Sequence, residues 1–386
     1  MKRLICGICL LITAILIGAC FSPWSGEEGN LSITWSNTGS SRAFLHQEDL
    51  ETLDLFEVTL RGPGASIKQE FTGVPGASFS VAAGTWSVTV KGRGVDPNLP
   101  AGDIILRVMG IEQIEVKPGE KTTKTINMYN AAEVESWDEL SYEIAYASSC
   151  TKEGCEKKDH YHDQIILLNP GEEGSYEVEY GFTINVFRPV ILVSEEPLII
   201  TRSAGNYFFE AQNDSILTLG WPGMSGTLTL DGFGFDSSAI YVHGIPGEPA
   251  SFIMYDGVTI RNVKGSGVNV GDYGIFIMED GDISNNNSNR EGGGVYVSQN
   301  GYFEMKGGTI SGNTASNSST GGYGGGVSVH TAAPPGSFIM KGGTISGNTV
   351  SGPGSKGGGV YGTKAAIVLE GGTISDNTPD DVIYSD

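Results

Sequence analysis

Apolar and polar residues alternate with period two through most of this chain, and the pattern changes character twice. Over 31–130 it marks short strands: Leu31-Ser32-Ile33-Thr34-Trp35, Phe56-Glu57-Val58-Thr59-Leu60, Ala77-Ser78-Phe79-Ser80-Val81 and Trp86-Ser87-Val88-Thr89-Val90. Alternation sends the apolar members of each to one face. Gly62-Pro63-Gly64, Val74-Pro75-Gly76 and Lys117-Pro118-Gly119-Glu120 supply turns between them. Short strands with no helical stretch of comparable strength predict a β-sandwich over 31–130, with Trp35 and Trp86 in its core. At Ser136 the period switches. Trp137, Leu140 and Ile144 fall on one helical stripe, with Ser136 and Glu139 spaced as a capping box. A capping helix and a polar Cys/His loop are therefore expected over 131–164, and strands return from Ile165-Ile166-Leu167-Leu168 onward.

From Phe252 to Thr378 the strands repeat. Phe303-Glu304-Met305-Lys306-Gly307-Gly308-Thr309-Ile310-Ser311-Gly312-Asn313 recurs as Phe338-Ile339-Met340-Lys341-Gly342-Gly343-Thr344-Ile345-Ser346-Gly347-Asn348, and again from Ile367 to Asn377. Between copies stands Gly292-Gly293-Gly294-Val295-Tyr296-Val297, repeated at Gly324 and Gly357. The unit length varies while the order of motifs holds, as in a coil whose strands are fixed by stacking and whose corners absorb insertions. Three short strands per unit predict an all-β chain: a right-handed parallel β-helix over 165–386, with three strands per rung. Stacked rungs lie about 4.8 Å apart, so like sits on like. Met254, Met278, Met305, Met340 and Leu369 should form one interior ladder. Ile260, Ile283, Ile310, Ile345 and Ile374 should form a second, and Val268, Val295, Val327 and Val360 a third. Asn286, Asn313, Asn348 and Asn377 fall at a corner, where an amide can adopt left-handed geometry and hydrogen-bond along the stack. The glycine pairs supply positive φ at the other corner.

Composition adds limits to this picture. Lys plus Arg total 23 against 45 Asp plus Glu, a formal charge of −22. Nucleic acid is thereby disfavoured as a partner, because a polyanion needs a basic patch to neutralise it. The N-terminus changes the picture more. Met1-Lys2-Arg3 precedes an apolar run too short for a comfortable membrane span, as in a signal peptide over 1–19. Its end, Leu16-Ile17-Gly18-Ala19-Cys20, resembles the lipobox of bacterial lipoproteins. That resemblance implies cleavage before Cys20, lipidation of its thiol, and a membrane anchor of two or three acyl chains. Residues 20–30 then read as a lipidated tether, and Phe21 in place of Asp gives no sign of inner-membrane retention. The implied address is the bacterial cell envelope, at the outer membrane or cell surface.

Gly-Gly-Gly-Val and Gly-Gly-Thr-Ile-Ser-Gly-Asn resemble the repeats of bacterial polymorphic outer-membrane and adhesin-like β-helix proteins, whose Gly-Gly-Ala-Ile and Phe-x-x-Asn motifs have the same structural roles. The resemblance implies a non-catalytic lipoprotein that displays a β-helix for adhesion, envelope structure or partner binding, the partner being a host or envelope protein or a glycan. The strands of 111–128 more loosely resemble the last hairpin of transthyretin-like or immunoglobulin-like modules, which implies a stalk or spacer.

Candidate chemistry is sparse. Cys150 and Cys155 lie in a polar loop with His160 and His162, spaced for a local disulfide, a solvated loop, or tetrahedral zinc. Asp256, Glu279, Asp280 and Asp282 stand on adjacent rungs, where oxygens could surround calcium or serve a polysaccharide lyase or glycosidase. Arg261, Lys264 and Arg290 are the nearby cations that could clamp a substrate. The competing reading of the acidic rungs is a solvated column, Tyr255, Glu279, Lys306, Lys341 and Glu370, of partly compensating charges. No cofactor is called for beyond that calcium. Residues 287–292, 314–323 and 349–356 insert at one corner of successive rungs and make a variable edge suited to binding.

Overall fold

A computed structural model describes residues 28–36, 53, 55–73, 76–95, 104–146, 164–171, 174–178, 182–202, 204–234, 236–317, 319 and 321–385. Cys20, the signal segment, Cys150, Cys155, His160 and His162 lie outside the described residues. The described residues are nearly all β, with long parallel sheets of stacked strands and one short helix, a β-helix-like coil.

Each turn of the coil contributes one strand to each of three sheets, so a strand pairs in parallel with its counterpart one turn later. The first sheet carries the methionine ladder. Met254, Met278, Met305, Met340 and Leu369 are in register through five successive strands. The second carries Ile260, Ile283, Ile310, Ile345 and Ile374. The third carries Val268, Val295, Val327, Val360 and, one rung further, Val382. Most ladder residues are fully buried, each contributing on the order of 1.5–3 kcal/mol before conformational entropy, but Leu369, expected inside, is exposed on the last strand of its sheet, where no further described strand stacks on it. A fourth ladder accompanies them. Phe252, Phe276, Phe303 and Phe338 stack with ring centroids 4.9, 4.7 and 5.0 Å apart, since residues in register in parallel strands bring their rings to the spacing of the rungs.

Two corners lock onto these ladders. The second glycine of each pair has positive φ, and a Cβ built there would strike a methionine methyl of the rung before: 2.7 Å from Met278 Cε at Gly308 and 2.6 Å from Met305 Cε at Gly343. At the other corner the expectation for asparagine is half right. Asn286, Asn313 and Asn348 bond along the stack, but positive φ belongs to the residue before each: Asn285, Gly312 and Gly347, with Asp376 before Asn377. That frees the ladder amides to point inward, where all four are buried. The three-strand expectation also needs amending. Asn287–Ser288, Thr314–Ser316 and Thr349–Ser351 pair as a small fourth sheet, so each variable insertion opens with a strand.

In the N-terminal region, strand Glu28–Ser36 pairs antiparallel with Gly76–Ala82 and parallel with Lys121–Asn127. A second set runs Ile67–Phe71, Leu55–Arg61, Gly84–Val95 and Ile104–Val116 in antiparallel order. Both sets contribute to one core that holds Leu31, Ile33, Val58, Val88, Trp35 and Trp86. The expected boundary near residue 130 falls inside strand Tyr129–Val134. That strand pairs antiparallel with Ile104–Val116 on one side and parallel with Gln164–Leu168 on the other. The N-terminal strands therefore continue edge to edge into the first sheet of the coil, because hydrogen bonding satisfies an otherwise open edge. Leu106, Met109 and Ile111 pack with Ile165, Leu167, Ile191 and Val193 across this junction.

The helix Trp137–Tyr146 covers the opening turns. Trp137, Leu140 and Ile144 are buried, and the Trp137 ring lies 5.4 Å from that of Phe209. The Glu139 amide N–H donates to Ser136 Oγ at 3.2 Å, whereas the Glu139 carboxylate accepts from the Glu135 amide at 2.8 Å rather than from Ser136.

Candidate functional site

The acidic rungs do not assemble into a cation site. Among the described residues no three His, Cys, Asp or Glu side chains gather so as to hold a metal. Asp256 and Asp280 stand at the same corner of successive turns, each accepting the N–H of the following glycine, Gly257 at 2.7 Å and Gly281 at 2.8 Å. Both glycines have positive φ, so these aspartates brace the turn that the Gly-Gly pair makes in later copies. Glu279 instead accepts from Lys306 Nζ at 2.7 Å, and Asp282 faces outward from the strand Asp282–Ser284. Arg261 is likewise committed, donating to Asp231 at 2.7 Å.

The outward column of the first sheet holds a residue that the pattern alone passes over. Glu304 takes an outward position between Ile277 and Ile339 and is nearly buried. Tyr302 Oη donates to it at 2.6 Å and Lys341 Nζ at 3.0 Å. The Tyr302 hydroxyl, and against the cost of partial burial the Lys341 ammonium, hold the Glu304 carboxyl below the usual carboxylate range. Burial and that same hydrogen bond push the Tyr302 phenol up to about 12. The signal for Glu304 was its break in the motif: Met278 and Met340 each follow an isoleucine, and Met305 follows Glu304. The cluster is fully paired and reads as an internally satisfied part of the wall.

The third sheet presents a different surface. The middle residues of these strands point away from the core, so Glu210, Tyr241, Asn269, Tyr296, Ser328 and Tyr361 form one column, in which Ser328 is wholly buried and donates to Glu291 at 3.5 Å. Beside it lies a groove of about 460 Å³ whose lining includes Tyr207, Asn269 and Tyr296 with Lys264, Arg290 and Glu291. The sequence had singled out Lys264 and Arg290, and the edge at 287–292; the structure brings all of these to one wall. It missed the tyrosines. Their signal was present, since Tyr296 and Tyr361 hold the same place after the glycine triplet.

The wall is pinned from within. Ser266 Oγ and Ser288 Oγ both donate to the Glu291 carbonyl, at 3.3 and 2.9 Å. Tyr207 and Tyr241 rings sit 5.1 Å apart, and Tyr241 stacks on His243 at 4.5 Å. His243 Nε2 lies 2.9 Å from Glu210. Burial, then the nearby Glu291 and Asp272 carboxylates, push the Tyr296 phenol above its ordinary range, so it is a neutral hydroxyl across the physiological pH range. The chemistry on offer is aromatic contact plus neutral hydrogen bonding along a rigid floor. Comparison with known proteins returned no matching family model, no matching curated protein and no matching solved structure.

Proposed function

We propose that this chain is a non-catalytic lipoprotein of the bacterial cell envelope that displays a right-handed parallel β-helix for partner binding. In this reading Cys20 is the lipidated N-terminus, 20–30 is the tether, and the strands of 31–130 form a β-sandwich that presents the coil. Right-handed winding follows from the near-universal hand of parallel β crossovers. The observation that carries the reading is the groove on the third sheet. The variable edge at 287–292 contributes Ser288, Arg290 and Glu291 to its wall, while in-register ladders hold its floor. A stacked coil gives a rigid platform, and corner insertions give its variation.

Two measurements test this. Palmitate labelling of cells should tag the wild-type chain, and Cys20→Ser should abolish the label and release the protein from the membrane. Protease shaving of intact cells should remove the coil; a chain that is labelled but fully protected would contradict surface display.

A further inference from the structure

We propose that the groove on the third sheet binds an extended, uncharged polysaccharide. The inference rests on the partner-binding reading above and adds a site and a ligand class to it.

The groove runs along the coil. Tyr207, Asn269 and Tyr296 line it, and Tyr241 stands between them, in register with Asn269 and ring to ring with Tyr207. Tyr207 precedes the strand Phe209–Gln212, and that strand and those bearing Tyr241, Asn269 and Tyr296 are four successive neighbours in the sheet. Three rung spacings make the floor about 14 Å long, which suits a chain of several units better than a single small molecule. Tyr207 and Tyr296 stand at the two ends of this floor with Asn269 between them, while Tyr241 packs behind Tyr207 and stacks on His243. Tyrosines at the two ends of the floor with an asparagine between them thus offer apolar rings to separated sugars and an amide to a sugar between them.

The free hydrogen-bonding groups point the same way. Every asparagine of the interior ladder bonds within the protein, whereas the Asn269 amide has no hydrogen-bond partner among the described residues. Pyranose rings have apolar C–H faces and equatorial hydroxyls, so half-buried tyrosines and neutral amides match both at once. Charge argues for a neutral ligand. Two cations, Lys264 and Arg290, and two anions, Asp236 and Glu291, line the groove, with Lys264 and Asp236 3.5 Å apart. The whole chain carries −22 and repels acidic polymers.

The test is affinity electrophoresis of the full chain, purified in detergent, through gels containing soluble β-1,4-glucan, β-1,4-mannan, α-1,4-glucan or polygalacturonate. At least one neutral polymer should retard migration, and polygalacturonate should not. Tyr296→Ala should weaken the retardation by about tenfold, as expected for loss of one aromatic contact. Asn269→Ala removes only groups that make no bond among the described residues, so it should fold normally and also bind less tightly. Lys306→Ala, on the first sheet, should bind as wild type. No retardation by any neutral polymer, retardation only by polygalacturonate, or retardation unchanged in Tyr296→Ala and Asn269→Ala would each overturn the proposal. Protease shaving judges surface display separately. A shaved chain that binds no neutral polymer keeps that reading and loses this one, and a protected chain that binds does the reverse.

Discussion

At the scale of single residues, the interior asparagine ladder does more than fill a corner. Asn313 donates from both its amide N–H and its Nδ2 to Asn348 Oδ1, at 2.9 and 3.0 Å. Asn348 repeats this onto Asn377, and Asn377 onto Asp381 at 3.1 and 2.9 Å, where the chain of bonds ends on a carboxylate. Each ladder Nδ2 also reaches an isoleucine carbonyl one strand back, as Asn348 does to Ile310 at 2.9 Å. Donor and acceptor roles are thus fixed in direction. Asn348→Asp would turn the donating atom into an anionic acceptor facing Asn377 Oδ1 and the Ile310 carbonyl. With the site fully buried, the expected loss is about 3–5 kcal/mol. Asp381→Asn keeps an oxygen for both Asn377 donors and should cost at most about 1 kcal/mol. Urea unfolding of the two variants checks this, and equal losses would show that the ladder's direction does not matter. The third glycine of each triplet belongs to the same unit: a Cβ at Gly326 would meet Ile345 Cγ2 at 2.8 Å and Asn348 Nδ2 at 3.0 Å.

At the scale of elements, the helix Trp137–Tyr146 shows local and tertiary terms side by side. The Ser136 cap is a single exposed hydrogen bond, and its loss in Ser136→Ala should cost about 0.5–2 kcal/mol. Leu140 is wholly buried in the coil's core, and Leu140→Ala should cost about 2–5 kcal/mol. Chemical denaturation orders the two, and a larger effect from Ser136→Ala would mean that capping, not packing, holds the helix in place. Arg188 ties the helix end to the coil, donating to the Glu143 carbonyl at 3.1 Å and to Gln164 Oε1 at 2.7 Å. The sequence announced the helix and its Ser136 cap because stripe and cap lie within one short stretch, but not the partner of the Glu139 carboxylate, which is Glu135.

At the scale of the whole molecule, the N-terminal strands and the coil share a sheet, a side-chain cluster and polar bridges. Lys91, itself buried, donates to Glu195 at 2.5 Å, Ser87 Oγ to the Gly223 carbonyl at 2.7 Å, and Trp221 Nε1 to the Ile111 carbonyl at 2.9 Å. A spacer joined by a linker would unfold independently of what it carries. This junction predicts one transition, in which far-UV circular dichroism and tryptophan fluorescence coincide on heating. Ile111→Asp puts an unpaired carboxylate into the shared cluster and should separate the two signals. Two transitions in the wild-type chain would contradict the coupling.

The periodic part of this protein is determined by its sequence. Parallel strands in register stack each residue on its counterpart one turn later, so Met, Ile, Val, Phe and Asn recur in the sequence as they recur in space. The aperiodic part was decided only by the tertiary structure. Tyr207, Lys264 and the pair Arg290 and Tyr296 come from three different turns and meet in one groove. The strand Tyr129–Val134 joins two sheets whose edges no sequence pattern marks. Asp381 ends a ladder of asparagines without resembling one. Such contacts join unlike residues once each, at places set by insertion lengths and sheet edges, and a single meeting leaves no repeat in the sequence to read.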